Sequence, residues 1–197
     1  MVDNTADIKK YINIEIATLK KVDVALINTL MNTLEFAWQR NATIYIMGNG
    51  GSAATASHYA NDFNKGISEH IEYPFKFICL NENISTVMAI ANDICYDAIF
   101  EFQLRGKVKK DDLVIGISGS GNSPNVLKAI ELAKTIGAMT IGLTGYDGGM
   151  LAKIVDLSIN VPVMSMQITE DVHMILNHLM MAVFYKTLCG IDHIKVK

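Results

Sequence analysis

The sequence predicts an α/β fold: a three-layer α-β-α sandwich around a five-stranded parallel sheet, with a helical pair ahead of it. Three features of the 197 residues carry that reading. From Thr43 onward, five short apolar runs alternate with segments of helical periodicity, the order expected of a parallel sheet wound by helices. Those runs are continuously apolar, as strands covered on both faces are. Glycine- and serine-rich turns follow the first and third runs and lead into helices. That places polar loops at the carboxyl ends of strands, where such sheets bind ligands.

In chain order, residues 5–20 set Ile8, Ile12, Ile16 and Leu19 at helical spacing, and residues 24–40 do the same with Leu26, Ile27, Leu30, Met31, Leu34, Ala37 and Trp38. No strand signal precedes Thr43, so these segments form an N-terminal helical pair (1–40) that packs on the domain or on a partner chain. Strand one (43–47) breaks into Gly48-Asn49-Gly50-Gly51-Ser52 and a helix to about residue 65. Strand two runs from Phe75 to Leu80, and residues 84–104 read as two short helices around Asn92-Asp93. Strand three (113–117) ends in Ser118-Gly119-Ser120-Gly121-Asn122-Ser123, and Pro124 opens a helix to about Ile136. Strand four (139–143), a short helix, strand five (157–161) and a last helix (169–188) complete one domain over residues 1–197.

Half the residues are apolar and 19% are charged, a globular composition. A net charge of −3 without a lysine-rich block argues against nucleic acid or a membrane surface as partner. No apolar run reaches the ~18 residues that span a bilayer, and residues 1–10 lack the apolar core of a signal peptide. Cys79, Cys95 and Cys189 are odd in number, unclustered and set in apolar contexts. They read as buried thiols of a reducing cytoplasm.

The first glycine turn and its helix suit an anion, because amides at a helix start have no intrahelical acceptor. Gly48, Gly50 and Ala53 nearly match a dinucleotide fingerprint, but the acidic residue it needs is missing at the required spacing, Glu82 lying too far on. No Gly-Lys-Ser/Thr follows, so the turn is not a Walker loop either. The second loop says more. Ser118, Ser120 and Ser123 surround glycines with no Lys or Arg, which suits a monoester phosphate better than a magnesium-bound triphosphate. The plainer alternative, Ser123 as helix cap before Pro124, needs one serine only. His58 and Asp62, four apart on a helix, either share a metal ion, or let the carboxylate orient the imidazole, or form a solvent-facing pair. Glu170, Asp171, His173 and His178 lie on the last helix. His173 and His178 point about 140° apart, so at most one faces a given site. Glu170 and His178 reach one site only if Glu170 occupies a frayed first turn. Alternatively, Glu170 and Asp171 simply follow a Thr169 cap and favour the helix dipole. Asn92-Asp93 either bonds sugar hydroxyls or caps the helix after it.

Together, GNGGS-x5-H-x3-D, N-D, S-G-S-G-N-S, T-G-Y-D-G-G and E-D-x-H-x4-H resemble the sugar isomerase (SIS) domain family, and within it the bacterial phosphoheptose isomerases. The resemblance implies a flavodoxin-like strand order and aldose–ketose isomerisation of sedoheptulose 7-phosphate through an enediol, feeding heptose precursors of lipopolysaccharide or capsule. It makes Asn49, Gly50, Gly51, Ser52, Ser118, Gly119, Ser120 and Ser123 the sugar-phosphate cradle, with Asn92 and Asp93 also contacting substrate. It puts His58, Asp62, Glu170 and His178 around a zinc ion, with Asp62 and His178 the acid/base pair. It implies a cytoplasmic homotetramer with sites at subunit interfaces, no nucleic-acid partner and no membrane. Two positions depart from the pattern: Asp62 stands where the family usually has Glu, and Glu170 where it usually has Gln. Glu170 is then a candidate replacement, as ligand or base, for what the shorter Asp62 gives up. The rival reading is a non-catalytic sugar-phosphate regulator or protein-binding adaptor, or an isomerase of another sugar phosphate.

Overall fold

Successive residues of each strand serve opposite faces of the sheet, and that alternation divides the core in two. A computed structural model describes residues 2–192 and residue 194. Strands β1 (Ile44–Gly48), β2 (Phe77–Cys79), β3 (Leu113–Ser118), β4 (Met139–Gly145) and β5 (Leu157–Val161) form one sheet in the order β2-β1-β3-β4-β5. Every neighbouring pair is parallel. This is the flavodoxin-like order, whose direction reverses between β1 and β3.

On one face Ile44, Ile46, Ile115, Ile141 and Ile159 pack against helices α2 (Val24–Gln39), α3 (Gly51–Asn61) and α8 (Met166–Thr187). Here Phe63 lies 4.6 Å from Phe77, 5.2 Å from Phe75 and 5.9 Å from Phe184 between ring centroids. On the other face Tyr45, Met47 and Val114 meet residues of α4 (Ile84–Asp93), α5 (Glu101–Leu104), α6 (Pro124–Ile136) and α7 (Gly149–Ile154). Gly116 and Gly142 stand in register on β3 and β4. A Cβ at Gly116 would lie 2.7 Å from Val126 Cγ1, so the missing side chain lets α6 approach the sheet. Helix α1 (Thr5–Leu19) lies outside this core, with Thr18 its only buried residue among those described.

Several elements depart from expectation, among them β2, which covers only Phe77–Cys79 of the expected Phe75–Leu80 run. The helix after β1 changes at Asp62 into a π-helical stretch, Asp62–Ile67. β4 continues to Gly145. The last helix begins at Met166 because Ser165, not Thr169, is its cap. The Thr169 hydroxyl donates instead to the Ser165 carbonyl at 2.8 Å.

Candidate active site

The reversal of strand order between β1 and β3 brings the glycine turn and the serine loop side by side. Gly50 adopts φ +54, which a residue with a Cβ rarely takes. At Gly51 a Cβ would overlap the Glu170 carboxylate of α8. Helix α3 starts without a side-chain cap, which leaves its first amides for another acceptor. Asn49 and Asn125 exchange two amide hydrogen bonds of 2.9 Å, and the Tyr96 hydroxyl donates to Asn49 Oδ1 at 2.9 Å. Ser123 occupies the cap position of α6 but makes no side-chain cap bond. Its hydroxyl lies 3.0 Å from that of Ser118, so the capping alternative does not describe it. Residues Asn49–Ser52 from the first loop and Ser118–Ser120 with Ser123 from the second line a cavity of about 250 Å³, closed by Ile117, Met166 and Glu170. Among the described residues no Lys or Arg lines it.

A second cluster forms where α3 and α8 run together. His58 Nε2 is 3.2 Å from Asp62 Oδ2 and 3.1 Å from His178 Nε2, and His178 Nε2 is 3.8 Å from the same carboxylate oxygen. One ligand atom from each of the three lies within 4.8 Å of the others. Two imidazoles and a carboxylate match the three-ligand donor set of catalytic zinc sites. The Asp62 side chain is nearly buried, while His58 and His178 are 42% and 55% exposed. Asp62 Oδ2 also accepts from Asn177 Nδ2 at 2.6 Å, and Oδ1 from Asn61 Nδ2 at 3.2 Å.

The remaining candidates are placed differently from one another. Glu170 does not join the His58, Asp62, His178 trio. It is in the second turn of α8, beside Gly51, roughly 11 Å before the trio along the helices at 1.5 Å per residue. Asp171 accepts the Tyr11 hydroxyl, tying α1 to α8, and this pairing pushes the Tyr11 hydroxyl up to about 12. Since α8 starts at Met166, neither carboxylate sits in a first turn. His173 is fully buried. Its Nε2 lies 3.1 Å from the Thr144 carbonyl, and burial lowers its pKa to about 4, so the ring is neutral at pH 7. Asn92 and Asp93 end α4, exposed, and bond each other at 2.8 Å, outside the residues that line the cavity. Cys79 is buried as expected, whereas Cys95 is exposed and Cys189 half-buried. Sequence reasoning missed Asn125, Tyr96 and Asn177. Asn177 did carry a signal, as an amide among the buried residues Val172, Leu176 and Met180 of α8.

A crossover between two anion-friendly loops, with His and carboxylate side chains on the flanking helices, defines an α/β domain suited to a small anionic ligand. A family model described as SIS domain matches residues 10–145. The chain is 34% identical over 176 residues, covering 89% of it and 96% of the relative, to a probable phosphoheptose isomerase of Thermoplasma acidophilum. It is 32% identical over 192 residues, 96% of each chain, to a phosphoheptose isomerase of Aneurinibacillus thermoaerophilus. A solved phosphoheptose isomerase of Neisseria gonorrhoeae superposes with a TM-score of 0.85 at 28% identity, covering 92% of this chain and 98% of that one. The chain belongs to the phosphoheptose isomerases of the SIS domain family.

Proposed function

We propose that the chain interconverts sedoheptulose 7-phosphate and D-glycero-D-manno-heptose 7-phosphate through an enediol, a step of heptose precursor synthesis. The observation that carries this is the cavity of hydroxyls and backbone with one carboxylate, Glu170, on its wall, in a chain that matches phosphoheptose isomerases over nearly its whole length. Ser118, Ser120, Ser123 and the amides of the two loops hold the phosphate. Binding energy from that remote end positions the reacting carbons. Glu170, on the cavity wall, takes the proton from the carbon beside the carbonyl and returns it to the neighbouring carbon. The hydroxyl proton moves between the two adjacent oxygens. His58, Asp62 and His178 would hold zinc, which when bound supplies positive charge to sugar oxygens further along the two helices. Asp62 is assigned as ligand rather than base because its Oδ2 already meets Asn177 and His58.

The reading includes a homotetramer whose sites are completed between chains. Ile8, Ile12 and Ile16 leave a stripe of α1 about half exposed, and Asn92 and Asp93 stand exposed outside their own cavity. A neighbouring copy would cover the first and receive the second. Free Cys79, Cys95 and Cys189 fit a cytoplasmic setting; among the described residues no helix is long and apolar enough to cross a membrane. The test is exchange of the carbon-bound proton of sedoheptulose 7-phosphate in heavy water, followed by NMR with and without zinc. Exchange is expected. Its absence with every seven-carbon ketose phosphate tried would leave a binding protein in place of an isomerase.

A further inference from the structure

We infer that Asn177 is the positioning residue of the metal-binding trio, holding Asp62 at the one place from which its short side chain meets both imidazoles. The inference rests on the zinc reading above. Asn177 is fully buried, and its Nδ2 donates to Asp62 Oδ2 across 2.6 Å. That same oxygen lies 3.2 Å from His58 Nε2 and 3.8 Å from His178 Nε2. The amide orientation follows from chemistry. Turned over, Asn177 would put its carbonyl oxygen against a carboxylate, two acceptors at contact distance. In the favourable orientation Asn177 Oδ1 is buried without a hydrogen-bond partner. A buried polar atom left unsatisfied calls for an explanation, and function is a common one.

The donor satisfies one lone pair of Oδ2 and leaves the other toward the histidines, which is how outer-shell partners orient carboxylate ligands. Asp62 needs such a partner more than Glu would. Its carboxylate is one methylene closer to the backbone of α3, so it meets the trio over a narrow range of side-chain angles. Asn61 touches only the other oxygen, at 3.2 Å, and leaves Oδ2 free to swing. Asn177 also precedes His178 in the chain, so one turn of α8 sets both the third ligand and the group that aims the second.

The test is zinc affinity, read by competition with a chromophoric chelator and therefore independent of turnover. Asn177→Leu keeps the branched shape, at a larger volume, and removes the donor. Asn177→Ala removes it without crowding, should the leucine variant not fold. The expected result is a 10- to 100-fold weaker zinc affinity in either variant, with KM for the sugar phosphate little changed and kcat reduced. In an Asp62→Ala background the Asn177 substitution should cost less than threefold. Affinity within threefold of the parent in a folded Asn177 variant would overturn the inference. So would an equal loss with and without Asp62, which would mean general loosening of α8. A parent chain that takes up no zinc would overturn the zinc reading together with this one, whereas a zinc-binding parent with indifferent Asn177 variants overturns only this one.

Discussion

Glu170 and Asp62 are two carboxylates whose surroundings differ, and the proposed function gives them different tasks. Asp62 is bound by two amides and an imidazole, while Glu170 faces the cavity beside Gly51. Glu170→Gln is expected to lower kcat by at least ~100-fold, the lower range for removal of a general acid/base group, and to leave zinc content unchanged. Steady-state isomerisation assays with metal analysis check both parts. His173 gives a pH prediction of a different kind. Burial holds its folded pKa near 4, below the ~6.5 of an exposed imidazole. Between those values the unfolded chain binds a proton that the folded ring refuses, so stability is full above about pH 6.5 and falls as pH drops toward 4. The total is about 3 kcal/mol at ~1.4 kcal/mol per pKa unit. Urea midpoints at pH 7 and pH 4.5 should fall less in His173→Gln than in the parent. His58, Asp62 and the three serines were legible in the sequence because local spacing carries them. Asn177 and Asn125 were not, since the atoms they meet lie far away along the chain.

The strands were legible because five apolar runs buried on both faces leave few alternatives, and each observed strand overlaps its predicted run. Helix ends were less legible. Thr169 looked like a cap, but Ser165 lies one turn earlier and takes that place, a competition between two hydroxyl residues that local sequence does not decide. The π-helical stretch from Asp62 had no sequence signal either, and such stretches often mark functional positions. Gly51 joins two elements through an empty space, the missing Cβ that admits the Glu170 carboxylate. Gly51→Ala is expected to displace that carboxylate, cutting kcat by roughly 100-fold, as ~1 Å misplacement does. A thermal scan should show little change, because the crowded group is the end of a flexible side chain.

At the scale of the molecule, the sheet and its two packed faces form a scaffold on which α1 is an outlier. Its apolar stripe, with Ile8 58%, Ile12 48% and Ile16 46% exposed, lacks the company that the strands provide elsewhere. If the proposed tetramer forms through this stripe, Ile8→Asp combined with Ile12→Asp is expected to shift it toward smaller species in light scattering and to leave the far-ultraviolet circular dichroism intact. An unchanged mass would remove α1 from the subunit contact. The sequence showed that stripe without showing what it meets, because helical periodicity is the same whether a face packs inward or on a neighbour.

The cavity lined by hydroxyls, backbone and Glu170, with no Lys or Arg among the described residues, has one further consequence. Three helices, α3, α6 and α8, begin at its edge, each presenting the positive end of its dipole. A dipole does not titrate. The dipoles' attraction for a phosphate dianion therefore has no proton to gain or lose, and apart from Glu170 on the wall acid sensitivity of capture passes to the ligand. A phosphate monoester takes up its proton near pH 6. The Kd for the sugar phosphate in Glu170→Gln, where that wall carboxylate is gone, should accordingly climb below that pH while remaining flat above it, a profile written by the substrate's own acidity.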